Sequence, residues 1–160
     1  MDRSGRMHDD VVMTEVDGLP NLKRLKVRRE RLAEAADVLE AAVTSAAGEP
    51  AAWRDEVRSA VTELQAALVD HVDVVEADGG LYSEIAGSSQ RLLPMVERLR
   101  RDHRDLAERI DELDALASAS EIQVDALREG SLDLRTQISH HRHRGADLLW
   151  EHYNVDIGGF

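Results

Sequence analysis

The sequence predicts an all-α fold, an up-down-up-down bundle of four helices, and three observations support this. Four segments carry apolar residues at steps of three and four, the spacing of one buried helix face. Short links containing Gly, Pro or Ser separate these segments. No stretch has the alternation of a strand, and aromatic residues make up only 3% of the chain. Because short links join antiparallel neighbours, the four helices are expected to form one bundle.

The bundle is expected to comprise residues 21–160, preceded by a mobile polar tail, residues 1–20, which Pro20 separates from the first helix. The first helix is predicted from Asn21 to Ala47, the second after Pro50, the third around residues 92–113, and the fourth after the link at Ser118 to Ser120. The residues spaced at three and four along each helix are here called its stripe, the face expected to be buried. In chain order the four stripes are Leu22, Leu25, Leu32, Ala36, Leu39, Val43; Trp53, Val57, Ala60, Leu64, Leu68, His71, Val75; Leu92, Val96, Leu99, His103, Leu106, Ile110, Leu113; and Leu127, Leu134, Ile138, His141, Gly145, Leu148, His152.

Composition excludes several classes of function. The absence of cysteine rules out disulfides, thiolate zinc sites and a cysteine nucleophile, and it favours a cytoplasmic location. No apolar run approaches the ~20 residues that cross a bilayer. A net charge of -12 disfavours nucleic-acid and membrane partners. Without a phosphate loop, a G-x-S-x-G elbow or a zincin motif, an enzyme is disfavoured and no catalytic residue is assigned.

Three histidines occupy stripe positions where an apolar residue is expected: His71, His103 and His141, on three different helices. A buried neutral imidazole must find hydrogen-bond partners or it destabilises the core. Imidazole is also a common ligand for iron and zinc. Two interpretations therefore stay open, a shared metal site and a set of hydrogen-bonded core histidines.

A shared site requires the three histidines to lie at one level of the bundle. His71 and His103 match in height if the second helix continues to Ala86, or if it ends at Asp78 and the following loop folds back. A mismatch of ~9 Å between His103 and His141 disappears if the fourth helix begins near Asp125.

Two carboxylates and two other polar residues lie close to the stripes. Glu76 is five residues after His71, about 140° around an ideal helix, and it turns inward only through local widening near Gly79 and Gly80. Asp147 is six residues after His141, and its interpretations as a surface residue and as a ligand both stay open. Arg29 interrupts the first stripe, and Tyr82 either hydrogen-bonds a ligand or packs at the bundle end.

The pieces "LVDHVDVVEADGGLYSEI", "LRRDHRDLAERIDEL" and "HRHRGADLLWEHYNVDIGG", in this order, resemble hemerythrin and the wider HHE cation-binding proteins over residues 21–159. The resemblance implies a hemerythrin-like bundle, an iron cofactor and a small bound species such as dioxygen. It implies metal ligands at His71, Glu76, His103, His141 and Asp147.

The chain departs from the family's di-iron pattern at four positions. The first helix has no histidine, and Arg29 stands where its stripe needs one. Ala107 stands in place of a second histidine on the third helix, while Glu76 and Asp147 each lie one residue too far along. The resemblance therefore implies a mononuclear or incomplete di-iron site, with Arg29 and Tyr82 supporting or replacing missing ligands.

Two functional hypotheses follow. The first is a hemerythrin-like iron-binding protein that binds or senses dioxygen or a related small oxidant. The alternative is a metal-free helical bundle that acts as an interaction or regulatory module with a protein partner. Convergence of the three histidines at one height favours the first, whereas vertical scatter of ~9 Å, or Arg29 filling the centre, favours the second.

Overall fold

The computed structural model describes the backbone of residues 12–45 and 48–155, and the side chains of residues 22–45 and 48–154. Its helices are α1 (Val12–Thr44), α2 (Pro50–Glu76), α3 (Leu81–Ser88), α4 (Leu93–Ser118) and α5 (Val124–Val155), with a 3₁₀ turn at Gln90–Leu92. The long helix α1 packs on α2 and α5, and α4 packs on the same two helices. The predicted all-α bundle of four long helices is confirmed, and no strand occurs in the described ranges. None of the helices within those ranges has the length and apolar content needed to cross a bilayer.

The start of α1 differs from the sequence prediction. The helix begins at Val12 rather than Asn21, and Pro20 lies inside it. A proline in a helix removes one backbone donor and crowds the preceding turn, but its φ near -65° is itself helical, so the helix continues past it at a cost. The other residues of the predicted tail, 1–11, and Ala47 at the predicted end of this helix lie outside the described residues.

A tight turn ends α2 at Glu76. Of the two alternatives for the second helix, the one in which it continues to Ala86 is therefore wrong. The N–H of Gly80 donates to the carbonyl oxygen of Ala77 at 2.7 Å. Gly79 has φ of 74°, in the region that favours glycine. The chain then starts α3, which packs against both α2 and α4.

Gly80→Ala is expected to lower the free energy of unfolding by about 1–3 kcal/mol. A Cβ at this position would lie 2.8 Å from the carbonyl oxygen of Ala77 and 3.0 Å from that of Val74, so the turn would have to open. Urea unfolding measures the change. Gly87→Ala is the matched control, because a Cβ there meets nothing within 4 Å and alanine favours the helix. Equal losses in the two variants would contradict the steric explanation.

The core divides into two apolar clusters with a polar layer between them. Members of the larger cluster next to the layer are Leu32, Leu68, Leu106 and Ile138. Members of the smaller cluster on the other side are Leu25, Val75, Leu99 and Leu148. On each long helix the position between the clusters belongs to a polar residue, and these four residues, here called the polar layer, are Arg29, His71, His103 and His141. Four helices therefore present one cationic and three imidazole side chains at one level.

Candidate metal centre

Three histidines of the polar layer form a compact group, here called the histidine triad. His71 on α2, His103 on α4 and His141 on α5 are only 3%, 4% and 3% exposed. Nε2 of His141 lies 3.2 Å from Nε2 of His71 and 3.1 Å from Nε2 of His103. The start of α5 at Val124 meets the condition of a start near Asp125, which removes the height mismatch that a start at Glu121 would have produced.

The spacing of these nitrogen atoms suits a metal ion. With metal–nitrogen distances of about 2.1 Å, neighbouring donors of a tetrahedral or octahedral site lie roughly 3.0–3.4 Å apart. Both Nε2 distances to His141 fall in that range, and one potential ligand atom from each residue lies within 4.8 Å of the others. In the part of the chain that the structure describes, the triad is the one group of three or more such side chains able to surround an ion.

Two histidines of the triad are hydrogen-bonded to carboxylates through Nδ1, here called the outer nitrogen because it points away from the converging Nε2 atoms. Nδ1 of His103 donates to Oε1 of Glu76 at 2.5 Å, and Nδ1 of His141 donates to Oδ2 of Asp102 at 3.2 Å. Because an ionised carboxylate only accepts, each Nδ1 carries the proton and each Nε2 keeps its lone pair. Two lone pairs then face one another across 3.1 Å, an arrangement that a cation between them stabilises.

His71 differs from the other two because its buried Nδ1 has no hydrogen-bond partner among the residues that the structure describes. A buried polar atom left without a partner costs about 1–3 kcal/mol. A histidine retained only for internal hydrogen bonds would be expected to have both nitrogens satisfied. The arrangement at His71 therefore does not fit a set of fully hydrogen-bonded core histidines, but an ion on Nε2 would leave Nδ1 unpartnered as well, so the case for a metal rests on the converging Nε2 atoms.

Asp102 is a residue of this site that the sequence analysis missed. Its carboxylate accepts from His141 and from Nε of Arg144 at 2.8 Å. Burial alone would raise the pKa of Asp102, but the hydrogen bonds from Arg144 and His141 outweigh it and lower the pKa. Two features of the sequence could have indicated Asp102. It directly precedes the stripe histidine His103, and an arginine, Arg144, lies three residues after His141, so the two charges lie on helix flanks that face each other across the bundle.

Asp102→Asn is expected to weaken metal affinity by about 10–100-fold, because the amide cannot hold the His141 proton as a carboxylate does. Competition with a chromogenic chelator measures the affinity. Asp147→Asn is the matched control, because Asp147 is an exposed aspartate that is close to His141 only in sequence. Equal affinities for the two variants would show that Asp102 does not orient His141.

The environment of the triad keeps all three imidazoles neutral. Burial lowers the pKa of His71 to about 3, helped by His103, His141 and the positive charge of Arg29. Burial and His103 lower the pKa of His141 to about 4 against the opposing effect of Asp102. Burial also lowers the pKa of His103, although Glu76 opposes this. Neutral imidazole is the form that binds metal ions, so near pH 7 the triad is ready to do so.

A small cavity of about 20 Å³ lies beside the triad, and its lining includes His71, His141, Arg29 and Tyr82. The Tyr82 ring stacks on His103, with centroids 5.9 Å apart and planes 9° apart. Burial raises the pKa of the Tyr82 phenol, and Glu76 adds to the effect, so the hydroxyl stays protonated. This volume has room for a molecule of one or two water-sized groups.

Arg29 reaches this cavity from α1 and lies partly buried. Its Nη2 donates to the backbone carbonyl oxygen of Arg142 at 3.0 Å. Burial and the neighbouring charge of Arg142 lower its pKa. The side chain therefore places a positive charge at the edge of the triad, where the resemblance implied a further ligand.

The five predicted ligands divide into two groups. The three histidines converge, whereas Glu76 and Asp147 do not join them. Glu76 binds the outer nitrogen of His103, since its direction, about 140° away from His71 on α2, leads toward α4. Asp147 is exposed, because six residues after His141 bring the helix about 120° away from the stripe. The carboxylate next to His141 is Asp102 instead.

Comparison with known proteins agrees with this geometry. The family described as Hemerythrin HHE cation binding domain matches residues 21–149, which include the whole triad. No match to a curated protein or to a solved structure was found. The chain belongs to the hemerythrin HHE cation-binding domain family.

Proposed function

We propose that the protein binds one iron ion on His71, His103 and His141, and that a small oxidant or dioxygen enters the adjoining cavity. The observation that carries the proposal is the convergence of three Nε2 atoms, with two of the outer nitrogens held by carboxylates. Such carboxylate–histidine pairs fix the tautomer that a metal ion requires. Iron is favoured over other transition metals by family membership.

The donor set supports one ion rather than two. A second ion would need further ligands, and Arg29 and Ala107 stand where the family pattern has histidines. A positive guanidinium beside the triad also opposes a second cation. Three neutral histidines leave coordination positions free, and a bound iron would supply a redox-active Lewis acid there.

The chain's own residues would prepare this site in three ways. Glu76 and Asp102 keep a proton on Nδ1 of their histidines and so direct both Nε2 lone pairs inward. Tyr82 covers one face of His103, while Leu25, Leu32 and Val75 give the cavity apolar walls. These walls exclude bulk water, which strengthens electrostatic interactions inside.

The alternative, a metal-free bundle acting as an interaction or regulatory module, has less support. It leaves the facing Nε2 lone pairs of His103 and His141 without an explanation. It becomes the better interpretation if the protein retains no metal. The cytoplasmic location remains a prediction based on the absence of cysteine.

The test is metal content. Full-length protein is loaded anaerobically with ferrous iron, desalted and analysed for iron, with absorption spectra recorded before and after exposure to air. About one iron per chain is expected. Two irons per chain would overturn the single-ion proposal, and no retained iron would overturn metal binding.

A matched pair of variants tests where the iron binds. The double variant His71→Ala with His103→Ala is expected to retain no iron. The control, His140→Ala with His143→Ala, removes the same number of histidines from exposed positions and is expected to bind normally. Equal retention in the two variants would place the metal elsewhere.

A further inference from the structure

We infer that two copies of the protein associate through the solvent-facing side of α1, with the two helices running in opposite directions. This side is here called the outer face, and it consists of Val27, Arg31, Glu34, Val38 and Ala41. Each of these residues follows an inward position of α1 by two residues, which is about 200° around the helix. The outer face therefore lies on the side of α1 away from Arg29 and the triad, and the inference does not depend on metal binding.

The outer face has the residue spacing of a helix that packs against another helix. Its five positions are separated by steps of four, three, four and three residues. Such a heptad spacing keeps one side of a helix turned toward a partner helix over several turns. Two of the five positions hold valine and one holds alanine, and this mixture of apolar and charged residues is typical of a small interface.

Two exposed valines on this face match each other in an antiparallel pair. Val27 is 58% exposed and Val38 is 56% exposed, although single valines of this kind are common on protein surfaces. They are eleven residues apart, so they differ by only about 20° in direction and by ~16 Å along the helix. When a second α1 runs in the opposite direction, Val27 of each copy meets the partner's Val38, and both valines lose their exposure to water.

Charge changes sign along α1, and an antiparallel partner complements that change. Residues 22–31 contain six basic residues and one acidic residue, whereas residues 32–44 contain three acidic residues and no basic residue. A parallel partner would place the two basic halves together. The alignment that pairs the valines places Arg31 opposite the partner's Glu34, and twofold symmetry forms this pair twice. Glu34 has no ion-pair partner among the described residues, so its carboxylate is available to a second copy.

The charges of the outer face favour a second copy over an unrelated acidic partner. The basic half alone would suit any acidic segment, but such a partner would repel the acidic half that carries Val38. A second, antiparallel α1 satisfies both halves at once. It does so with one self-complementary surface, as a closed dimer requires.

The contact is small, so the dimer is expected to be weak. The outer face covers about 21 Å of helix, and one helix from each copy buries less than the ~1,600 Å² of a standard interface. Each copy also has a net charge of -12, which opposes association at low salt. At ~0.15 M salt these distant charges are screened more strongly than the close contacts. We expect a dissociation constant of about 10–100 µM under those conditions.

Sedimentation velocity of the full-length protein from about 5 to 500 µM in ~0.15 M salt measures the equilibrium, and a shift from monomer to dimer is expected. Val38→Lys is expected to weaken the dimer by about tenfold or more, because it places a cation against the partner's basic half. Val69→Lys is the matched control, since Val69 is 53% exposed but lies on α2. A monomer throughout the range, or equal weakening by the two substitutions, would overturn the inference.

Charge reversal tests the antiparallel alignment. Glu34→Arg and Arg31→Glu are each expected to weaken the dimer by about fivefold or more, since each brings like charges together in two places. The double variant Arg31→Glu with Glu34→Arg is expected to return to within about threefold of the unaltered protein. Arg31 also pairs with Asp70 inside the chain, so circular dichroism and urea unfolding check the fold of each variant, and Glu34→Arg leaves that pair intact. A double variant as weak as the single variants would overturn the antiparallel alignment.

Discussion

Replacement of His71 by leucine is expected to abolish iron binding and, in the same variant, to stabilise the metal-free protein. The substitution removes one of three convergent Nε2 atoms. Loss of a hydrogen bond that only supports a ligand weakens metal affinity by up to about 100-fold, so loss of the ligand itself is expected to weaken iron affinity by more than that. It also removes a buried Nδ1 without a partner, which is expected to raise the free energy of unfolding by about 1–3 kcal/mol. A leucine at this position extends the apolar stripe of Leu68 and Val75.

Two measurements on one preparation check both parts of this prediction. Iron content after desalting reports binding, and urea unfolding in the presence of a chelator reports the stability of the metal-free protein. His140→Leu is the control, since the exposed His140 lies next to the triad in sequence but is not part of it. Loss of iron together with loss of stability would show that His71 also serves folding, and retained iron would exclude it as a ligand. The expected opposition between metal binding and stability is typical of a functional site in a core.

Acidification from pH 7.5 to 5.5 is expected to lower the free energy of unfolding of the metal-free protein by roughly 3 kcal/mol. The pKa of His71 is lowered from 6.5 to about 3, and that of His141 to about 4, chiefly by burial. Below pH 6.5 the unfolded chain therefore binds protons that the folded protein does not. The stability is complete above that pH and is lost as the pH falls toward the lower values. His71 and His141 contribute comparable shares of this change, and the lowered pKa of His103 adds to it in the same direction.

Urea unfolding at several pH values between 7.5 and 5.5 measures this dependence in a range where most carboxylates stay ionised. His71→Leu is expected to remove a substantial part of it, because the histidine with the pKa lowered to about 3 no longer titrates. The exposed-site control His140→Leu is expected to retain the dependence. A free energy of unfolding that stays constant across this range would show that the triad is protonated in the folded protein, which would contradict the neutral, metal-ready state.

The helices and the triad histidines could be predicted from the sequence for the same reason. A buried helix face imposes a spacing of three and four on its apolar residues, so the stripes and the histidines that interrupt them are visible without coordinates. His71, His103 and His141 were selected in this way, and they converge. Arg29 was visible by the same argument, as a charge in the stripe of the first helix, and it does reach the cavity.

The roles of the carboxylates and the start of α1 were harder to predict from the sequence. Glu76 was expected among the ligands, but it binds the outer nitrogen of His103 on another helix. Asp102 was missed, because periodicity identifies the inward face and Asp102 lies on the flank. Pro20 was taken to end the helix, although a local cost at one residue does not decide where a long helix begins.

Local periodicity and composition were sufficient to predict the bundle, its four long helices and the three histidines of the candidate site, because each depends on one helix and the face that it buries. The contacts of the site depend on how neighbouring helices are placed relative to one another. The pairing of Asp102 with His141 and the cavity between Arg29 and Tyr82 both arise from such placement. A shift of one helix by a single residue, about 1.5 Å, would separate these groups, and spacing within one segment carries no information about that register.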